Sequence, residues 1–326
     1  MKKSTIISLL SAVILLAAGG SLVFYALRSA SFDWDKLTIN VENETYDYTV
    51  VGTVREVKIE TKQADVRVVR SSDNSCTVRA KIASRESCSV EEDDGILTVA
   101  CIDDPSVPWY KKIWLQDEMN VTVFLPNDAY EELEIRSGSG EVYVSDALFF
   151  TNVRTKTASG EQKLNASVSN SLSAASGSGD VAVKNADCKT ISATTESGEL
   201  FFGNCRSGTF TAAASSGSVS LAECIAGNMQ TSTASGNIIF SQIEVTEHLE
   251  VTSSSGDILY MFSTAADIKI TAKSGNVTGT LVEPMLFDVR SDSGNIELPP
   301  SGGTDKCMIR TGSGDVKFEM RGKDEG

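Results

Sequence analysis

A serine–glycine pair recurs ten times between residues 139 and 315 at a spacing of 19 or 20 residues, and this period constrains the fold more than any other feature. Each pair is followed by a short polar residue and, in nearly every copy, by an apolar one. A fixed period in this range is typical of stacked structural repeats rather than of a single globular core. The repeated glycines are Gly140, Gly160, Gly179, Gly198, Gly217, Gly236, Gly256, Gly275, Gly294 and Gly314.

Apolar residues recur at fixed distances on both sides of each glycine. The position seven residues before it is apolar in all ten copies, and the positions two and four residues after it are apolar in most. Alternation with a period of two on either side of a corner is typical of a strand, a bend and a second strand. A unit of about 19 residues cannot bury its own apolar face, but stacked copies bury a continuous column and exchange backbone hydrogen bonds.

The predicted fold class is therefore all-β: a single-chain parallel β-solenoid of about 10–11 rungs, with a small antiparallel β insertion and an N-terminal transmembrane helix. With neighbouring strands about 4.8 Å apart, such a rod is roughly 50 Å long. We expect each Ser-Gly corner to need a left-handed backbone conformation, which only glycine adopts without steric cost. The ten glycines are therefore interpreted as structural corner residues.

The residue after each glycine is acidic, Asn or Ser, which predicts a polar ladder along one edge of the rod. Like charges stacked about 5 Å apart repel by roughly 1 kcal/mol even in bulk water, so mixing Asn and Ser among the acids relieves repulsion. Calcium binding is the functional alternative, but the nine-residue glycine-rich pattern of calcium-binding β-rolls is absent, and Ser218 interrupts the acids. A solvated corner is favoured.

The repeat and its interruptions divide the chain into five parts. Residues 57–68 carry the pattern with Ala64 in the glycine's place, and alternating runs without the Ser-Gly pair follow between there and Leu133. The predicted parts are a cytoplasmic stub and transmembrane anchor (1–29), N-terminal strands and the first rung (30–69), an antiparallel insertion that caps the rod (70–132), the Ser-Gly solenoid (133–320) and a polar tail (321–326).

The N-terminal segment predicts a membrane anchor. An uncharged, mostly apolar stretch at 6–27 is long enough to span a bilayer. Lys2 and Lys3 precede it and only Arg28 follows it closely, so the N-terminus is expected in the cytoplasm and the C-terminal domain outside the cell. The alternative is a cleaved signal peptide, but the apolar run continues past the small residues at 17–19, which favours an uncleaved single-pass anchor.

The net charge of −15 argues against a nucleic-acid partner, because phosphate binding needs a basic surface. An acidic surface attracts cationic partners, although solubility is its more common role.

Asp94 and Gly95 predict a two-residue β-hairpin turn. If they form the turn, Cys88 lies opposite Cys101 in a pair whose Cα atoms approach to about 4.5 Å. We therefore predict a Cys88–Cys101 disulfide in an extracellular domain. Cys205 and Cys224 occupy the same place in successive rungs, where their side chains face in parallel, so they are interpreted as buried fillers.

The segment 103–118 holds two of the three tryptophans of the chain and is the main candidate for a binding loop. Its aromatic surface and two cations suit a glycan, a partner protein or a lipid headgroup region. The alternative is that the tryptophans fold back and plug the end of the solenoid. The candidate binding residues are Trp109, Tyr110, Lys111, Lys112 and Trp114.

No catalytic residue, metal site or cofactor is predicted. The only histidine is His248, and no close cysteine pair has ligand spacing. Parallel β-helices include polysaccharide-cleaving enzymes, and Glu141, Glu161, Asp180 and Glu199 supply four acids in a row. No arginine or lysine recurs beside them, and no phosphate loop or nucleophile elbow is present, so a binding protein is favoured over an enzyme.

These corners, the Ala64-Asp65-Val66 opening copy, and the run Val121, Val123, Leu125 and Pro126 before Tyr130 resemble the bacterial "putative adhesin" family of β-strand-repeat proteins. The resemblance covers about residues 37–320 and implies surface adhesion; it defines no catalytic or binding residues. The leading hypothesis is a membrane-anchored extracellular interaction module at the bacterial cell envelope, with an envelope glycan or protein as partner. The alternatives are an envelope-stress accessory that binds cationic peptides or membrane partners, and a polysaccharide-active enzyme.

Overall fold

The computed structural model describes residues 19–21, 24, 25, 28, 43–83, 86–103, 119–126 and 128–320. All of its strands belong to one compact unit. Among the described residues, no helix has the length and apolar character to cross a membrane. Most of the span predicted at 6–27 lies outside the described residues, and so does the whole tail at 321–326.

The strands stack into two parallel sheets that enclose the core, and each rung contributes one long and one short strand. The Ser-Gly corner joins the long strand to the short one. The long-strand sheet contains β2 (Glu56–Thr61), β5 (Glu86–Asp93), β6 (Ile96–Asp103), β8 (Ala129–Ser137), β10 (Phe149–Thr157), β12 (Ser167–Ser176), β14 (Asp187–Thr195), β16 (Arg206–Ala214), β18 (Ile225–Thr233), β20 (Glu244–Ser253), the second part of β21 (Ile258–Ala272), β23 (Leu286–Ser291) and β25 (Lys306–Thr311).

The short-strand sheet forms the opposite wall of the rod. It contains β1 (Asn43–Thr49), β3 (Asp65–Arg70), β4 (Thr77–Ala83), β7 (Asn120–Leu125), β9 (Val142–Val144), β11 (Gln162–Leu164), β13 (Val181–Lys184), β15 (Leu200–Gly203), β17 (Val219–Ala222), β19 (Ile238–Ser241), the first part of β21, β22 (Val277–Leu281), β24 (Ile296–Glu297) and β26 (Val316–Met320).

The apolar columns predicted from the repeat form the core. Nine of the ten residues seven positions before the glycine are buried, from Leu133 to Cys307, and the half-exposed member is Phe287. Register is kept along the rod, so that Val153 pairs with Leu172 and Ile191 with Phe210. Stacking identical positions removes apolar surface from water in every rung, which is the main stabilising contribution to such a fold. The parallel β-solenoid predicted from the repeat is confirmed.

About nine turns follow one another in chain order, from β2 and β3 through β8 and β9 to β21 and β22. The order then reverses at the C-terminal end. Strands β25 and β26 pair with β21 and β22 on one side and with β23 and β24 on the other. The turn at Gly314 therefore lies inside the turn at Gly294, and the rung that ends the stack is not the last one in the sequence.

Antiparallel strands cover the other end of the rod. Strands β6 and β7 form an outer parallel rung against β2 and β3, and β5 pairs antiparallel with β6 while β4 pairs with β7 and β1 with β4. The edge strand β5 carries Glu91, Glu92 and Asp93, and charged edges oppose pairing with a further strand.

The corner glycines are required for a different reason from the one predicted. Only Gly275 of the ten has a positive φ, so the expectation of a left-handed corner is wrong for the other nine. Instead, a Cβ on each glycine would lie less than 3.0 Å from backbone atoms of the adjacent rung; for Gly160 these are the carbonyl carbon and oxygen of Gly140. The glycines therefore allow close stacking of main chain on main chain. Ala64 takes the place of the glycine in the rung of β2 and β3. The outer neighbour of this rung, formed by β6 and β7, has no Ser-Gly pair in its connection, residues 104–118.

Left-handed residues occupy the opposite corner of the rung, where the short strand leads to the next long strand. They have positive φ between 48° and 57° in five consecutive rungs, although none is glycine. Asparagine tolerates this conformation best, and the Asn204 side-chain amide donates to Asn185 Oδ1 at 2.8 Å. The five residues are Asn185, Asn204, Glu223, Gln242 and Phe262.

Candidate functional site

The predicted aromatic loop falls outside the described residues. Trp109, Tyr110, Lys111, Lys112 and Trp114 all belong to the segment between β6 and β7 that the structure does not describe. The two strands that bracket this segment form the outermost parallel rung.

The β5–β6 hairpin has the register set by its turn. Val90 pairs with Val99 and Glu92 with Leu97, and Asp94 and Gly95 form the turn with positive φ. Cys88 lies opposite Cys101 at a Cα–Cα distance of 4.1 Å, and their sulfur atoms form a disulfide bond. This bond joins the edge strand to the outermost rung of the core.

The polar ladder after the glycines is part of the backbone hydrogen-bond network. Where the residue is Asp, Asn or Ser, its side-chain oxygen accepts a hydrogen bond from the main-chain N–H of the equivalent residue in an adjacent rung, except for Asn295 in the terminal rung. Asp180 accepts from Glu199 N–H at 2.7 Å, and Asp257 accepts from Asn276 N–H at 2.7 Å. A short side chain is needed to reach this donor. The hydrogen bond therefore accounts for Asp, Asn and Ser at this position, and no metal ion has to be invoked. Within the described residues, no group of three His, Cys, Asp or Glu is placed to hold a metal.

A buried hydroxyl column lies three residues before the glycines and was not singled out in the sequence. Thr195 Oγ1 accepts from the N–H of Gly198 at 3.0 Å, and Ser253 Oγ does the same for Gly256. Ser or Thr at this position in most copies is the sequence signal for the column. The network extends furthest at Gln162, which is fully buried and bonds to Thr155, Thr157 and the carbonyl of Ala175.

The outer face of the long-strand sheet is a regular surface that extends over successive rungs. Eight positions of its central rungs carry small or uncharged side chains in register, and charged residues surround them, such as Arg154 and Glu250 on neighbouring rungs and Lys189 and Arg206 on the same rungs. A shallow groove of about 700 Å³ runs across these rungs from Lys156 to Ser254. We call this surface the hydroxyl face, and it consists of Ser173, Ala175, Ser192, Thr194, Thr211, Ala213, Gln230 and Ser232.

The five cysteines outside the disulfide are buried as thiols. Burial raises the pKa of Cys76 and of Cys188 to about 11 and that of Cys307 to about 12. Cys205 and Cys224 contact each other in successive rungs; the hydrogen bond between their thiols, together with burial, raises the pKa of Cys224, and the same hydrogen bond lowers the pKa of Cys205. Since a reactive thiolate has to be accessible and all five side chains are buried, they are interpreted as fillers of the core.

His248 lies on the exposed surface of β20 and contacts Asp267, with 3.0 Å between Nδ1 and Oδ2. Among the described residues, His248 contacts no serine or cysteine side chain that could act as a nucleophile. The contact joins two exposed side chains of adjacent rungs, as the contact of Lys269 with Glu250 does.

The sequence model of the Toastrack DUF4097 family matches residues 54–319. The chain belongs to this family. The matched region extends from the residues just before β2 into β26, and so contains every Ser-Gly corner and the disulfide hairpin.

One solved structure has the same fold at low sequence identity, and two others are similar at lower TM-scores. A "putative adhesin" from Parabacteroides distasonis is 16% identical, with a TM-score of 0.53, over 74% of this chain and 98% of that one. A "putative lipid binding protein" from the same species is 17% identical, with a TM-score of 0.48, over 86% and 98%. A "putative adhesin" from Bacteroides fragilis is 12% identical, with a TM-score of 0.39, over 85% and 97%. No curated protein matches the chain.

Proposed function

We propose that this protein is a membrane-anchored, extracellular, adhesin-like β-solenoid that acts as a non-catalytic binding module at the bacterial cell envelope. The observation that carries the proposal is the hydroxyl face, a flat and regular surface that repeats the same small side chains across successive rungs. Each rung offers an equivalent weak contact to an extended partner. Several such contacts made at once raise the overall affinity without any single strong site.

The composition of the hydroxyl face suits an envelope glycan or an extended protein segment. Hydroxyl and amide groups donate and accept hydrogen bonds, as sugars do, and the eight residues of the hydroxyl face carry no charge that would have to be desolvated. The Trp109–Trp114 loop would add aromatic anchors of the kind that dominate binding energy. No cofactor is needed for this role.

The extracellular placement is supported by the Cys88–Cys101 disulfide, because such bonds persist in oxidising compartments. It is also supported by the apolar stretch at 6–27, which Lys2 and Lys3 precede.

A pelleting assay with insoluble bacterial cell wall tests the proposal. The full-length protein is compared with Trp109→Ala/Trp114→Ala and with Ser192→Arg/Thr211→Arg, which places two cations on the hydroxyl face. The matched control, Ser220→Arg/Ser241→Arg, makes the same change on the outer face of the short-strand sheet. We expect the wild type and the control to pellet, and the hydroxyl-face variant to stay in solution. Loss in the tryptophan variant as well would add the loop to the site.

Absence of pelleting, or pelleting that no variant reduces, would contradict the proposal. The net charge of −15 supports a second candidate, an envelope-stress accessory that binds cationic peptides. Binding of that kind would weaken steeply between low and physiological salt and would be indifferent to the hydroxyl-face substitutions.

A further inference from the structure

The C-terminal end of the rod exposes residues that every other rung buries. In the terminal rung, Phe287 and Val289 are only half-buried, and Ile296 is 43% exposed. The equivalent residues one rung further in, Cys307, Ile309 and Val316, are all buried. The apolar column of the core therefore reaches the surface at this end.

The main chain of the terminal rung is open along the same edge. Strand β23 pairs only with β25 among the described strands. On the side of β23 that faces β25, Leu286 N–H donates to Asp305 O at 2.7 Å. Because backbone N–H and C=O groups point to opposite sides in successive residues of a strand, those of Phe287, Val289 and Ser291 point toward the free edge. Residues 301 and 302 cover the start of this edge, where Gly302 N–H and the Ser301 hydroxyl donate to Met285 O and Phe287 N–H lies 3.4 Å from Ser301 Oγ. Beyond them, the groups of Val289 have no partner strand in the described part of the chain.

The opposite end of the rod is protected, which makes this exposure informative. Antiparallel strands cover the outermost parallel rung there, and the edge strand β5 carries three consecutive acids. At the C-terminal end, β24 contains only Ile296 and Glu297, and Pro299 and Pro300 follow it. The longer open edge at this end is therefore that of β23 in the long-strand sheet.

We propose that β23 is a self-association edge, on which a second copy of this chain pairs its own β23 in antiparallel orientation about a two-fold axis through Val289. The two copies then form one continuous long-strand sheet across the interface, and each covers the half-exposed Phe287 and Val289 of the other. Such an isologous contact closes as a dimer, because both copies use the same edge.

The charges on β23 select this register. Asp288 and Arg290 both lie on the outer face of the strand and are exposed. When Val289 faces Val289, Asp288 of each copy lies opposite Arg290 of the other, which gives two cross-strand ion pairs. A shift of the axis by one residue either way places Asp288 opposite Asp288 or Arg290 opposite Arg290. Like charges directly opposite one another are destabilising, so both neighbouring registers are disfavoured.

Sedimentation velocity of the full-length protein in mild detergent, over a range of concentrations, tests the proposal through a charge swap. We expect a wild-type dimer, and we expect Asp288→Arg and Arg290→Asp each to raise the dissociation constant by about tenfold or more, because like charges then face each other twice. The double variant Asp288→Arg/Arg290→Asp should restore the wild-type dissociation constant. Arg310→Gln is the control, since it removes the closer of the two within-chain partners of Asp288, Arg310 and Arg290, and leaves the proposed interface pairs intact.

A cysteine at the two-fold axis provides a second measurement that does not depend on charge. Two Val289 residues in a hydrogen-bonded pair would have Cα atoms about 5.5 Å apart, within disulfide range. Val289→Cys should therefore give a covalent dimer on mild oxidation. Met308→Cys on the adjacent strand β25, where the side chain is 40% exposed, should not. A monomeric wild type, a dimer unchanged by the single swaps, a double variant that fails to restore association, or no cross-link at residue 289 would each overturn the proposal.

Discussion

Substituting Gly217 by alanine tests whether close stacking of rungs, rather than backbone conformation, requires glycine at the corners. The added Cβ would lie less than 3.0 Å from the carbonyl carbon and oxygen of Gly198 in the preceding rung. Both atoms belong to main chain that the β-ladders on either side hold in place. The backbone therefore has to separate locally to admit a single methyl group.

Overpacking of a well-packed core costs about 1–3 kcal/mol, and we expect about 3 kcal/mol for Gly217→Ala because the obstacle is main chain rather than a movable side chain. At roughly 2–4 °C per kcal/mol for a chain of this size, the melting temperature should fall by about 6–12 °C.

Urea unfolding followed by circular dichroism measures the effect in Gly217→Ala and Gly217→Asn. The control is Gly302→Ala, whose Cβ meets its nearest neighbour, Pro284 Cβ, at an ordinary 3.5 Å. Asparagine tolerates a left-handed backbone but not a close approach, so both Gly217 variants should be destabilised. A stable Gly217→Asn, or a Gly217→Ala within about 0.5 kcal/mol of the control, would refute the stacking argument.

Four further predictions concern buried polar groups, the disulfide, the thiols and one acidic turn. Gln162→Val should lower the free energy of unfolding by about 1–3 kcal/mol, because it leaves the buried Thr155 hydroxyl without its partner. Adding Thr155→Ala should restore most of this in a double-mutant cycle, since the adjacent rung carries Val181 and Ala174 at the paired positions. Cys88→Ser/Cys101→Ser should lower the stability to denaturant by about 3 kcal/mol, the chain-entropy value for a loop of about 15 residues, and an unchanged midpoint would contradict this. Iodoacetamide should label the five buried thiols only after unfolding, as read by intact mass, because burial shields all five and raises the pKa of Cys76 and Cys307. Rapid labelling of the folded protein would contradict this prediction. The pKa of Asp73 should be about 2 by NMR titration, because the Ser71 and Ser75 hydroxyls donate to its carboxylate. The stability that this turn contributes is complete above the unfolded pKa near 3.8 and is lost as the pH falls through about 2. An observed pKa near 3.8 would contradict the turn geometry.

The repeat allows the fold and the hairpin register to be predicted, because both depend on local spacing. Alternation around each Ser-Gly pair fixes which side chains point inward, and the Asp94-Gly95 turn alone places Cys88 opposite Cys101. The order of the last two rungs could not be predicted in this way. The rungs at Gly294 and Gly314 carry the same pattern, so the sequence contains no signal for which one stacks against β21 and β22.

The role of the glycines illustrates a second limit. A periodic glycine is equally compatible with a left-handed corner and with close packing, and only the distance between rungs distinguishes the two. The hydroxyl face was also missed, because small outward-facing residues give no hydrophobic period and matter only once neighbouring strands align them. The candidate residues from Trp109 to Trp114 remain a prediction from composition.

The reversed order of the final rungs has a consequence for synthesis. As the chain leaves the ribosome, each new rung from β8 to β22 can settle on the one before it. Strands β23 and β24 emerge next, but their neighbours in the finished rod are β25 and β26, which are made after them. The rod therefore cannot close at this end until residues 306–320 have been translated and inserted. A chain that stops short of them loses two rungs instead of one, so both terminal rungs depend on the segment 306–320.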